Sequence, residues 1–211
     1  MPRDHDASFG AVTRRVTAVV RDGKPAREIT LERIYDTTPD DLWDALTNAR
    51  RLPRWFLPIS GKLETGGRYQ FEGSAGGIIT ECDPPRRVRA TWEFGGAVSW
   101  VDLRLAPDGD GCRMTLSHVC PVDDHWRKYG PWAVGIGWDL TLLGLADHLS
   151  DSEVGRFDED VFTASADGQA YVGRVSEDWG RAVIAAGEDQ EQAATASRRT
   201  TAFYTGTGEE A

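Results

Sequence analysis

The chain has 211 residues, 40% apolar and 27% charged, with a formal net charge of −10. That is enough for one folded domain with an appendage, and too apolar for a disordered chain. The acidic balance excludes a general nucleic-acid binder, which presents a basic face. No run approaches the roughly 18 uninterrupted apolar residues of a membrane span.

The N-terminal "MPRDHDASFG" has neither periodicity nor the apolar core of a signal peptide, so residues 1–10 read as a disordered terminus and the cytoplasm as the expected location. "AVTRRVTAVV" and "AREITLERIY" are β-prone runs around "RDGKP", whose Asp22-Gly23 predicts a hairpin turn; Ile29, Leu31 and Ile34 supply the apolar positions of the second run. Thr38, Pro39, Asp40 and Asp41 combine an N-cap, a first-turn proline and charges that suit the helix dipole. The helix they start places Leu42, Trp43 and Leu46 on one side. "NARRLPRWF" is a short helical or turn segment broken by Pro53.

From Gly61 to Cys120 the hydrophobic period becomes two, and "TGG", "SAGG", "DPPR", "FGG" and "PDGDG" separate about five strands, an antiparallel meander. Alternation puts Tyr69 and Phe71 on one face of their strand, and likewise Val88, Ala90 and Trp92, then Val101, Leu103 and Leu105, then Met114, Leu116 and His118. Arg87, Arg89, Thr91, Glu93, Asp102 and Arg104 point the other way. "PVDDHWRKYGPW" reads as a loop. "GIGWDLTLLGLADHL", Gly135–Leu149, then predicts a helix that is apolar on almost every side, with Trp138, Leu142, Leu145 and Leu149 toward the sheet. Its interior glycines, each costing about 1 kcal/mol relative to alanine, imply close packing by the sheet or room for a ligand. Two amphipathic helices follow. The first carries Tyr171, Val175, Trp179, Val183 and Ala186 on one stripe; the second is Ala-rich and carries Phe203 and Tyr204 at its end, ahead of a loose terminus. From Asp151 to Gln192 eleven acids face three arginines, so most of the negative charge belongs to this region.

Strands and helices segregate along the chain, which is the logic of an α+β fold. Several of these phrases together, "ITLERIYDTTPDDLWDALTNARRLPRWF", "GGRYQFEG", "GIITECDPPRRVRATWEF", "LRLAPDGDGCRMTLSH" and "GIGWDLTLLGLADHL", resemble the START-like (SRPBCC, helix-grip) superfamily. Within it they resemble the bacterial proteins related to the C-terminal domain of the activator of heat shock protein 90 ATPase. The resemblance covers roughly residues 10 to 150. It implies a curved antiparallel sheet wrapped around a long C-terminal helix, with a hydrophobic cavity between them, and members that bind apolar small molecules, act as cyclases or dehydratases, or act on partner proteins. The division it suggests is a START-like domain over 11–150 and a helical extension over 151–211 packed on it.

The candidate ligand-binding residues are Trp55, Phe56, Tyr69, Phe71, Trp92, His118, Trp138 and Leu142, since large rings give apolar walls with a polar handle. Ordinary core packing is the alternative for each. His118 reads as a half-buried hydrogen-bonded histidine, or as a candidate acid or base with Tyr69 or Glu81 as its partner. Asp123, Asp124 and His125 are adjacent in a loop and lack the spacing of a metal site. Arg50, Arg51, Arg54, Arg86, Arg87 and Arg89 are either a patch for an acidic partner or ligand carboxylate, or solvated surface, and the acidic C-terminal helices are a candidate neighbour for them. Cys82, Cys112 and Cys120, odd in number and without CxxC spacing, read as reduced packing residues. The expected function is binding of a hydrophobic or aromatic small molecule, with no catalytic residue and no cofactor assigned. A cyclase- or dehydratase-like enzyme and a chaperone-regulating module are the alternatives, the last set against the lack of the activator's separate N-terminal domain. A homodimer is an open option.

Overall fold

The structure, a computed structural model, describes residues 10–150 and 155–206. The expected disorder of residues 1–9 and the loose end beyond Gly206 lie outside the described residues.

Eight strands hydrogen-bond in the order β1-β2-β8-β7-β6-β5-β4-β3. They are β1 (Thr13–Arg21), β2 (Lys24–Tyr35), β3 (Ile59–Gly61), β4 (Arg68–Phe71), β5 (Gly76–Asp83), β6 (Arg87–Phe94), β7 (Ala97–Asp108) and β8 (Gly111–Pro121). The β1–β2 turn forms at Asp22-Gly23, both at positive φ (51° and 75°), as a two-residue hairpin turn requires. From β3 to β8 the chain is an antiparallel meander. It has one strand more than expected, because the three-residue β3 is too short to show alternation. No helix among the described residues is long and apolar enough to cross a membrane.

Among the described residues the α-helices are α1 (Pro39–Thr47), α2 (Asp124–Tyr129), α3 (Trp132–Ser150), α4 (Glu159–Ala164), α5 (Ala166–Ala185) and α6 (Gln190–Thr205). Thr38 caps α1 by accepting from the Asp41 N–H at 3.2 Å. Leu42 and Ala45 are its buried residues, while Trp43 and Leu46 are half-buried. The segment expected to be a loop contains α2, whose N-cap Asp123 accepts from the Trp126 N–H and whose Trp126 is buried.

The chain packs as two compact units, one of residues up to 29, 121–143 and 158 onward, the other of 30–120 and 144–157. In the first, the C-terminal helices close on the opening half of α3. A Cβ on Gly135 would stand 2.4 Å from the Trp179 ring, and one on Gly137 would stand 3.0 Å from the Tyr204 hydroxyl. Tyr204 Oη–H donates to the Ala133 carbonyl, and Trp132 Nε1–H to that of Ser176. Two of the three puzzling glycines are therefore accounted for by the C-terminal helices, not by the sheet or by a ligand. Gly135→Ala should lower stability by about 1–2 kcal/mol despite the better helix propensity of alanine, since overpacking a fixed ring outweighs it; a urea midpoint at or above that of the parent would contradict this.

At the centre of the same unit lies a polar cluster. Asp139 is fully buried within α3. Arg14 from β1 meets it with Nη2 to Oδ1 at 2.7 Å and reaches Asp178 of α5 with Nη1 at 2.8 Å. Trp179 Nε1–H donates to Asp139 Oδ2 at 2.9 Å.

In the second unit the sheet has two chemically distinct faces. Thr30 and Glu32 meet Ser117, Thr115 and Arg113 on the outer face. Leu31, Arg33 and Tyr35 therefore point inward, toward the row of Met114, Leu116 and His118. Ile34, expected in the core, is 47% exposed because the alternation gives its place to Tyr35, at 4%. Cys112 and Cys120 are buried on β8 and, like Cys82, unbridged.

Candidate functional site

Six of the expected site residues fall in the second unit, and the structure brings them into one chain of ring contacts. The turn after the 3-10 segment Leu52–Arg54 supplies Trp55 and Phe56, stacked at 5.6 Å between centroids. Phe56 meets Phe71 edge-on at 5.1 Å, and Phe71 meets its strand neighbour Tyr69 at 5.6 Å. Phe71 also lies 5.9 Å from Trp92 of β6, which is 6.0 Å from His118 of β8. These spacings suit offset and edge-to-face aromatic pairs. Trp138 and Leu142 belong to the opening half of α3, in the other unit; Trp138 is half-buried and Leu142 buried.

Several polar handles in this wall are already occupied by the protein. Trp55 Nε1–H donates to the Ala45 carbonyl at 2.9 Å and Tyr69 Oη–H to that of Thr91 at 2.7 Å. Burial pushes the Tyr69 phenol well above its ordinary pKa, so it stays protonated. Ser99 Oγ–H donates to the Trp92 carbonyl, which can only accept, so the 2.7 Å contact between Ser99 and His118 has His118 Nε2–H as donor. Burial lowers the His118 pKa to about 3, making it a neutral ring at neutral pH. What the wall offers is aromatic surface. Trp55, Tyr69 and His118 are buried, whereas Phe56, Phe71 and Trp92 are half-buried, as are Val88, Ala90 and Val101 beside them. The uncovered part of this ring wall is thus apolar.

The remaining candidates resolve into local pairs. Glu81 lies 3.6 Å from both Arg87 and Arg89, and Asp102 pairs with Arg87 and Arg104, all on the outer face. The register shift between Ile79 and Glu81 puts Glu81 there, away from His118. Arg86 pairs with Asp83. Arg51 binds Asp41 and Asp44, and its Nε–H donates to His148 Nε2 at 3.1 Å. Arg50 and Arg54 are exposed. Asp124 pairs with Arg127, and the His125 ring lies 4.9 Å from that of Tyr129. No cluster able to hold a metal ion occurs among the described residues.

A separate cleft of about 340 Å³ lies in the first unit, walled by Trp126, Trp132, Val183, Ala193 and Ala196. An Arg27–Glu188 ion pair of 2.5 Å stands at its rim. Its one apparent sequence signal, the tryptophans of "HWRKYGPW", is hidden by the turn-like composition of that stretch.

A meandering antiparallel sheet with an aromatic inner face, joined to one long apolar helix, defines a START-like protein of the helix-grip (SRPBCC) class. Residues 36–150 match the sequence family described as Activator of Hsp90 ATPase homolog 1-like protein, and the chain belongs to that family. Among solved structures it is similar to CalU16 from Micromonospora echinospora: 29% identity, TM-score 0.62, 83% of this chain and 98% of CalU16 in the crystal structure. The solution structure of CalU16 aligns at 24% identity and the same TM-score, over 93% of this chain and 94% of CalU16. DynU16, a protein of the dynemicin biosynthetic locus, shares the fold at 22% identity and TM-score 0.54, over 62% of this chain and 50% of DynU16. No curated protein matches the chain.

Proposed function

We propose that this protein binds an aromatic or otherwise apolar small molecule against the inner face of the sheet, without catalysing a reaction on it. The observation that carries this is the continuous ring wall from Trp55 to His118, open to solvent at Phe56, Phe71 and Trp92. An incoming planar molecule finds ring surface there and need not displace the hydrogen bonds of Trp55, Tyr69 or His118. A cyclase- or dehydratase-like reaction needs two convergent acid-base groups. Here His118 is neutral and tied to Ser99, Tyr69 donates to a backbone carbonyl, and Glu81 is on the opposite face. A chaperone-regulating role rests on the family relationship alone.

The test is a fluorescence titration with the neutral aromatic alcohol 1-pyrenebutanol. Saturable one-to-one binding is expected, weakened about 10-fold by Phe71→Ala, which removes a ring touching three others. Absence of saturable binding sinks the proposal. Binding that survives Phe71→Ala and disappears in Trp126→Ala would move the site to the cleft of the other unit.

A further inference from the structure

Six arginines sit on the strands of the second unit, and five of them face carboxylates. Arg68 meets Glu93, Arg87 and Arg104 meet Asp102, Arg89 lies beside Glu81 and Asp102, and Arg113 joins Glu32 and Asp108. Arg33 is the exception. It is also the one whose side chain points inward, between Leu31 and Tyr35 in an otherwise apolar row. Its Nε and Nη1 are buried with no hydrogen-bond partner among the described residues, and its guanidinium lies over the Tyr35 ring at 4.9 Å.

Stacking orients the guanidinium but does not satisfy its N–H groups, and leaving buried donors unmade is costly. An apolar side chain at this position would serve the core better. A fold that keeps a charged fork here, held in place by a ring, is arranged to receive an anion, and guanidinium geometry suits a carboxylate best. The position adds a size. Thr30 meets Ser117 and Glu32 meets Thr115, so Arg33 is level with Met114. That is four residues, or about 13 Å, along β8 from His118 at the end of the ring wall. Leu116 and Met114 fill the interval, so the inner face reads as rings, then aliphatic surface, then one cation.

We infer that Arg33 anchors the acid group of the ligand, and that the ligand class is an elongated aromatic acid: fused rings against the wall and a carboxylate at the far end. This rests on the binding function proposed above and narrows it from apolar compounds in general to those with one terminal negative charge.

The matched probes are 1-pyrenebutyrate and the neutral 1-pyrenebutanol, titrated against the full chain. The native protein should bind the acid at least about 10-fold more tightly than the alcohol, the range of a charge-assisted hydrogen bond. Arg33→Gln should bring the acid down to the affinity of the alcohol and leave the alcohol unchanged. Equal affinities in the native protein, or a preference for the acid that persists in Arg33→Gln, overturns the assignment while leaving the ring-wall site standing. Failure of both probes removes the ring-wall site, and this assignment with it. Should Arg33→Gln not fold, the native protein still decides: the Arg33 Nε–H resonance should shift with the acid and stay fixed with the alcohol, and the reverse result counts against the anchor. Arg33→Met supplies the control for a purely structural role. Its urea midpoint should equal or exceed that of the parent, and a clear fall would assign Arg33 to stability instead of binding.

Discussion

Asp139→Ala is expected to cost about 3–5 kcal/mol, the loss typical of breaking a buried ion pair from one side. The carboxylate is completely buried and holds Arg14, whose side chain is only 2% exposed, together with the Trp179 indole. Without it, the Arg14 guanidinium loses its most buried carboxylate partner, and the Trp179 N–H loses this acceptor. Burial pushes the Asp139 carboxyl up, and the Arg14 guanidinium and Trp179 indole oppose that shift. Arg14→Met should therefore be destabilising too, but by an amount that depends on pH. Asp139 left alone is held in its protonated form, with a folded pKa above the unfolded one, so the variant is most stable at low pH and loses stability as pH rises. The double variant Arg14→Met, Asp139→Leu should recover most of the loss, because replacing a buried pair with well-packed apolar groups is often neutral or better. Urea unfolding at constant m-value is the measurement. A loss below about 1 kcal/mol in Asp139→Ala would mean that the pair behaves like a solvent-screened one.

Asp139 also marks where the sequence stops being legible. In "GIGWDLTLLGLADHL" it is one acid among apolar residues, and nothing nearby announces that its partner is Arg14, 125 positions earlier. The glycines of that stretch failed to declare their neighbours for the same reason: Trp179 and Tyr204 are distant in sequence. Patterns fixed by local chemistry were readable. Two-residue alternation grouped Met114, Leu116 and His118 on one face of β8, and "TTPDD" marked the start of α1. The same alternation, followed strictly from Leu31, would have put Arg33 and Tyr35 inside and Ile34 outside; hydrophobicity of a single residue is a weaker guide than parity on a strand. The strand part of the ring wall was legible, because alternation gave Tyr69 and Phe71, Trp92 and His118 each a face of its strand. Its connectivity was not, because Trp55 and Phe56 come from a turn whose direction no periodicity specifies.

Acidification should destabilise the protein through His118 by about 2 kcal/mol between pH 6.5 and pH 5, and by about 4 kcal/mol in total by pH 3. The sign follows from where the proton binds. The unfolded chain takes it up near the ordinary histidine pKa of about 6.5, while the folded protein resists until about pH 3 because charging His118 means placing a cation in a site that is 2% exposed. Between those values the unfolded state holds more protons, so stability falls as pH falls, and above about pH 7.5 this group contributes almost no slope. Nε2–H is committed to Ser99, so the added proton must go to Nδ1, on an inner face whose neighbours on β8 are Leu116 and Cys120. Carboxylates titrate over part of the same range, so the informative quantity is the difference between the parent and His118→Phe, which keeps a ring at the position and removes the proton site. The two stability curves should separate progressively below pH 6.5, the parent falling faster. Parallel curves would mean that His118 is charged at little cost in the fold, so that the wall would end in a cation once the pH falls below about 6.5. A neutral His118 leaves Arg33 as the inward-facing positive charge on these strands, which is the condition for that side chain to select an acid.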